Sequence, residues 1–134
     1  MTPAAPVHPR DVLYQGERAF PILPAVDHYA GSEKLMRKAL ALQGERGPVF
    51  DLTCDCEDGA AAGNEDAHRL LCAAIINDAD NLYGRIGVRI HDVTHAQWKA
   101  DMDVLVGEAG DRLAFITLPK ARSADDVRTQ LDWL

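Results

Sequence analysis

No stretch of this 134-residue chain approaches the roughly 18 consecutive apolar residues that a membrane helix needs. Met1 to Arg10 also lacks the apolar centre of a secretory leader. A membrane partner is therefore not expected, and a cytoplasmic setting is. Positive charge is scarce: 14 Lys and Arg stand against 21 Asp and Glu, a net charge of -7, and the basic residues are scattered rather than gathered in a stripe. That argues against nucleic acid as a partner. Cysteine is limited to Cys54, Cys56 and Cys72, an odd number without C-x-x-C spacing. Neither a disulfide framework nor a zinc knuckle is indicated, and the thiols are expected to be reduced and inert in or near the core. The five histidines, His8, His28, His68, His91 and His95, show no H-E-x-x-H spacing, and there is no Walker loop and no G-x-G-x-x-G. Nucleotide binding has no support.

What is present is an alternation of apolar runs and helical periodicities. Residues 1–21 are rich in proline and charge with little periodicity and are expected to form an extended arm. Strands are expected near 22–26, where Pro24 interrupts the run, and near 49–53, 84–90 and 113–118. Helices fill the intervals. Ser32 precedes a first, with Leu35, Met36, Ala39, Leu40 and Leu42 at helical spacing. Asn64 to Ile76 reads as a second, with Leu70, Leu71, Ala74 and Ile75 inward and His68 and Arg69 wet. Thr94 can cap a third, whose stripe is Trp98, Met102, Leu105 and Val106. Ser123 with Asp126 forms a capping-box pattern for a fourth, in which Val127, Leu131 and Leu134 begin the apolar stripe. Four strands alternating with four helices, without an Asn-Gly hairpin signal, predict an α/β fold of four parallel βα units over residues 22–134. A closed barrel of this kind takes about 250 residues, so this chain is expected to be part of one.

In parallel α/β folds chemistry gathers at the carboxyl ends of strands. The second strand ends in Asp51, Asp55, Glu57 and Asp58, four carboxylates within eight residues. Crowded like charges need a metal, an arginine or water beside them, although a solvated acidic loop before a helix N-terminus accounts for the same composition. Arg89, inside an otherwise apolar third strand, needs an anion; a substrate and an ion pair with Glu57 or Asp58 both satisfy that requirement. Lys120 follows the fourth strand as a candidate pocket residue or a surface lysine. His91 shares strand parity with Arg89 and is a candidate for the same pocket or a solvent-facing loop histidine.

Three segments taken together, Asp55-Cys56-Glu57-Asp58-Gly59-Ala60, Gly87-Val88-Arg89-Ile90 and Leu118-Pro119-Lys120-Ala121-Arg122-Ser123, resemble the HpcH/HpaI aldolase and citrate lyase β-subunit family. Order and spacing agree from about Ile22 onward. The resemblance implies the N-terminal half of a TIM (β/α)8 barrel and a magnesium-dependent carbon–carbon lyase. Such an enzyme cleaves citryl, malyl or citramalyl thioesters, carried on coenzyme A or a carrier protein, or 4-hydroxy-2-oxo acids, by retro-aldol chemistry. It also implies that Arg89 binds the keto-acid carboxylate or carbonyl, with Glu57 and Asp58 as the acidic pair beside it. Asp55, His91 and Lys120 are further pocket candidates, and a homo-oligomer is expected. The family's metal ligands, a Glu and an Asp, fall on later strands, which the resemblance places beyond Leu134. No metal ligand is therefore expected within this chain, and the chain alone is expected to be inactive. Two departures stand out: His91 replaces the asparagine usual after the third strand, and Thr53-Cys54-Asp55-Cys56 stands where large aliphatics are common. The competing expectation is a non-catalytic α/β binding module. A receiver-like domain fits less well, because its acidic pair would follow the first strand.

Overall fold

The computed structural model describes residues 26–134, together with Val7 and Pro24. The expected arm, and most of the expected first strand, lie outside the described residues. β1 (Asp27–Ala30), β2 (Asp51–Asp55), β3 (Ile86–Arg89) and β4 (Ile116–Thr117) form one sheet in sequence order, every pair parallel. Four helices alternate with them: α1 (Glu33–Arg46), α2 (Glu65–Ile76), α3 (Trp98–Ala109) and α4 (Ala124–Leu131). This is the arrangement of a partial (β/α) barrel, as the alternation of patterns predicts.

The first described strand is Asp27–Ala30, later than the expected 22–26, of which Ile22, Leu23 and Ala25 lie outside the described residues. Pro24 has no N–H to give to a ladder, and among the described residues the pairing includes the Val26 carbonyl, which accepts from Asp51 N at 2.9 Å. Only Ala30 of β1 is buried, so this edge strand carries almost no apolar signal. At the other edge, β4 is shorter than the expected 113–118, yet Ala114 N still donates to Ile86 O at 2.8 Å and Val88 N to Phe115 O at 3.1 Å.

Alternation along the strands sorts side chains onto two faces. Leu52, Cys54, Ile86 and Val88 point to the helices and join Met36, Leu40, Cys72, Ile75, Ile76, Met102 and Leu105 in the core. The opposite face presents Tyr29, Thr53, Asp55, Gly87 and Arg89. A Cβ on Gly87 would lie 2.3 Å from the Phe115 ring, so on this face a glycine is required for the ring to lie across β3.

Three helices differ from expectation. In α2, Arg69 is buried and Leu70 exposed, the reverse of the apolar-inward reading. The cause lies in α3, whose buried Asp101 takes Arg69 Nε at 3.1 Å while Gln97 Oε1 accepts from Nη2 at 2.6 Å. A third partner, Asp66, also meets this guanidinium. Thr94 does not cap α3: its amide and hydroxyl both bond Asp92 Oδ1, at 2.8 and 2.5 Å, closing a turn before the helix starts at Trp98. The Ser123–Asp126 capping box of α4 forms in both directions, Asp126 N to Ser123 Oγ at 3.2 Å and Ser123 N to Asp126 Oδ2 at 3.1 Å. The expected stripe of α4 does not extend to Leu134. The helix ends at Leu131, and Leu131 and Leu134 are both exposed, joined through a turn in which Leu134 N donates to Leu131 O at 3.2 Å. Gln130 is the buried residue of this helix, because its side chain reaches inward to the His91 carbonyl at 3.2 Å.

Candidate functional site

The acidic segment leaves the sheet at the last residue of β2. There the side chain of Asp55, only 2% exposed, is wrapped by donors: Glu57 N at 3.0 Å and Gly59 N at 2.9 Å from its own loop, Arg89 Nε at 2.8 Å and Nη2 at 2.5 Å from β3. Parallel register sets Asp55 beside Arg89, so the planar guanidinium meets the carboxylate edge-on in a two-pronged pair. Burial by itself would raise the Asp55 carboxyl, but the Arg89 guanidinium and the two backbone N–H groups outweigh it and hold the group below its ordinary value. The same bond to Asp55 raises the Arg89 guanidinium still further above its ordinary value. The guanidinium carbon also lies 5.0 Å from the centre of the Tyr29 ring, a cation–π contact that fixes the plane of the fork.

Gly59 makes this loop fit. A Cβ there would fall 2.3 Å from Asp55 Oδ2, and one on Gly31 would fall 1.8 Å from the carbonyl oxygen of Gly59, so the β1–α1 and β2–α2 turns touch backbone to backbone. Gly59→Ala is therefore expected to push the Asp55 carboxylate off its Gly59 donor and to lower stability by about 1–3 kcal/mol, the usual cost of overpacking. Denaturant unfolding checks this, and an unchanged midpoint would mean that the loop yields freely.

Glu57 and Asp58 follow. The Glu57 side chain is 5% exposed and lies between two cations, Lys120 Nζ at 2.7 Å from Oε1 and Arg89 Nη1 at 3.3 Å from Oε2. Neither contact is aligned as a hydrogen bond, so both buried oxygens are held by charge rather than by directed donors. Asp58, far more exposed, takes Lys120 Nζ at 3.0 Å. Lys120 is raised above 10.5 by Glu57 first and Asp58 second. It is also the one non-glycine with positive φ among the described residues, 52°. A left-handed lysine costs roughly 1–2 kcal/mol, which the paired ammonium helps to offset.

Arg89, Glu57, Asp58 and Lys120 thus converge at the carboxyl ends of three adjacent strands. They do not all face one space. Glu57, Asp58, Lys120, His68 and His91 border a cleft of about 310 Å³, whereas Arg89 and Asp55 do not line it and stand side by side in the β2–β3 register. Asp55, expected as a pocket residue, is instead the anchor of Arg89. The guanidinium pairs first with Asp55, a partner that the choice between Glu57 and Asp58 left out. His91 departs from its strand parity: after Ile90 it turns into the helix layer, where Asp101 Oδ2 accepts from its backbone N at 3.0 Å and meets Nδ1 at 2.6 Å. It stacks on His95 with ring centres 4.0 Å apart and is 7% exposed, so it borders the cleft without facing solvent. Leu134, past which the resemblance places the metal ligands, takes no part in this site: it borders a separate groove with Met102, Val106 and Trp133.

Glu57 and Asp58 do not suit direct coordination of magnesium. A divalent ion bound directly to Glu57 would have to displace the Lys120 ammonium at 2.7 Å and sit near Arg89, and Asp58 is already engaged by Lys120. These carboxylates suit a role outside any direct coordination shell. Among the described residues the one group of three His, Cys, Asp or Glu ligand atoms close enough to share an ion is Cys56, His68 and Cys72, which the spacing of the cysteines did not suggest. For a softer ion this is a candidate ligand set that sequence spacing missed. The buried Arg69–Asp101–His91 network was equally hidden. An aspartate at an inward position of α3, three residues after Trp98, was its only sequence signal.

No family model and no curated protein matches the chain. A solved structure does: a citrate lyase from Burkholderia xenovorans LB400 is 50% identical, with a TM-score of 0.80 over 84% of this chain. The chain spans 35% of that protein's length. No described helix is long and apolar enough to cross a membrane. With 50% identity and a TM-score of 0.80 over 84% of its length, the chain belongs to the family of that citrate lyase.

Proposed function

We propose that this chain supplies the arginine-bearing part of a carbon–carbon lyase that cleaves a β-hydroxyacyl thioester (citryl, malyl or citramalyl) or a 4-hydroxy-2-oxo acid. The observation that carries the reading is the fixed fork of Arg89. Asp55 and Glu57 engage at most three of its five N–H donors, and the side chain keeps 22% of its surface exposed, so a keto-acid carboxylate would meet a pre-oriented cation with donors to spare. Retro-aldol cleavage leaves an enolate, and oriented cations stabilise that charge more in the transition state than in the ground state. Glu57 and Lys120 hold the arginine's flank: the carboxylate between the two cations keeps them from repelling one another.

Magnesium, the metal expected for this chemistry, would polarise the keto acid's oxygens, with direct ligands drawn from outside the described residues. The working enzyme is proposed to be a cytoplasmic homo-oligomer.

In a complete protein carrying this chain, Arg89→Lys is expected to reduce kcat/KM by about 100-fold or more, the range for loss of one oriented donor in a charge-stabilising site. A point charge cannot reproduce the planar fork. Near-normal kinetics in that variant would remove Arg89 from the mechanism. The chain alone, supplied with magnesium, is expected to give no cleavage of malyl or citryl thioesters; turnover by it would show that the residues here suffice.

A further inference from the structure

We infer that Cys56, Cys72 and His68 form a binding site for a thiophilic divalent ion of the zinc class, behind the carboxylate cluster and independent of the lyase reaction. The topology brings them together. Cys56 follows β2 on the helix-facing side, and His68 and Cys72 are one helical turn apart on α2, facing it. Their ligand atoms lie within 4.8 Å of one another. The two sulfurs are 3.7 Å apart. Two thiolates about 2.3 Å from a tetrahedral zinc stand about 3.8 Å apart, so the pair already has the spacing that the ion requires.

The hydrogen bonding of the histidine leaves one ring nitrogen to serve as a ligand. His68 Nε2 lies 2.8 Å from the carbonyl oxygen of Asp55, which can only accept, so Nε2 carries the proton and Nδ1 keeps its lone pair. Metal-bound histidines characteristically donate their other N–H to a carbonyl or carboxylate in this way. Cys56 and His68 both border the 310 Å³ cleft, which offers an access path and a direction for a fourth ligand. Charge balances as well. Binding releases one proton from each thiol, and two thiolates with a neutral imidazole cancel the ion's double charge, as a buried site demands. Magnesium prefers oxygen donors and does not suit this set.

Both thiol pKa values are shifted upward. Cys56 is raised by its bond to Cys72 and by burial, and Cys72 by its bond to Cys54 and by burial. Once bound, the ion would tie the end of β2 to α2 immediately before Glu57.

The test uses the purified protein, reduced and stripped of metal, titrated with zinc and, separately, with cobalt(II) in excess magnesium. One ion per chain is expected, with release of two protons, and cobalt should give an intense near-ultraviolet thiolate charge-transfer band and the visible spectrum of a tetrahedral site. Cys56→Ser, Cys72→Ser and His68→Gln should each weaken zinc binding by more than the roughly 10–100-fold that loss of an outer partner costs, with circular dichroism reporting whether each variant is folded. No binding, a cobalt spectrum without thiolate bands, or undiminished affinity in Cys56→Ser would overturn the assignment. The spectrum of the unmutated protein decides the matter even if the serine variants do not fold.

Discussion

Asp101→Ala is expected to cost about 3–5 kcal/mol of folding stability, the range for removing one partner of a buried ion pair. Asp101 and Arg69 have side chains 1% and 4% exposed. One carboxylate answers donors from two other elements: Arg69 Nε on α2, and the backbone N and ring Nδ1 of His91 beyond β3, while itself belonging to α3. Removing it leaves a guanidinium buried with Gln97 and Asp66 as its remaining partners and strands a backbone N–H. Chemical denaturation of the variant checks the magnitude. Glu33→Ala, which breaks a solvent-exposed pair with Arg37, serves as the contrast and should leave the midpoint unmoved. Equal effects in the two variants would mean that the buried network contributes no more than a surface pair.

The second large effect concerns Asp55. Replacement by alanine leaves Arg89 without its two-pronged partner and the amides of Glu57 and Gly59 without acceptors, and is expected to cost about 3 kcal/mol or more at neutral pH. The pH dependence follows from the direction of the shift. The folded-state pKa lies below the ordinary 3.8, so the stabilisation is fully present above that value. It is lost as pH falls through the folded-state value, where folded and unfolded forms come to bind the proton alike. The gap in stability between the natural protein and Asp55→Asn should therefore be constant near neutrality and narrow on acidification below 3.8. A gap that stays flat through that range would mean that the carboxylate charge is not what Asp55 contributes. In a complete lyase, Asp55→Asn should also lower activity through Arg89, since the fork would lose the partner that sets its plane.

Sequence periodicity carried a good deal of this structure. The alternation of apolar runs and helical stripes is a local property, and it indicated the four-fold βα order, because burying one face is the main force acting on each element. It failed where burial was not the signal. Asp27–Ala30 is a polar edge strand, held by backbone pairing that leaves no trace in side-chain pattern. Arg69 reads as a wet residue on any helical wheel, and only the approach of Asp101 from the next helix makes its burial tolerable. Leu134 reads as the next apolar step of α4, but the helix stops three residues earlier and leaves it exposed.

The candidate site divides the same way. From residue types alone, Glu57, Asp58, Arg89 and Lys120 stood out as charges at the carboxyl ends of successive strands, and parallel topology was enough to expect them together. Their pairing was decided by tertiary structure. Register sets Asp55 directly opposite Arg89, and the close backbone contact of Gly31 and Gly59 shapes the loop that turns Glu57 toward Lys120. The chain turn after Ile90 carries His91 away from the parity of its strand and onto Asp101. Spacing along the chain separates Cys56 from Cys72 by sixteen positions, and only the packing of α2 against β2 brings their sulfurs to 3.7 Å. Composition and periodicity thus determined the class of fold and the end of the sheet where chemistry gathers, since both follow from local hydrophobic pattern. Which charge meets which, and which thiols share a ligand space, depended on distances that exist only after the sheet and helices have packed.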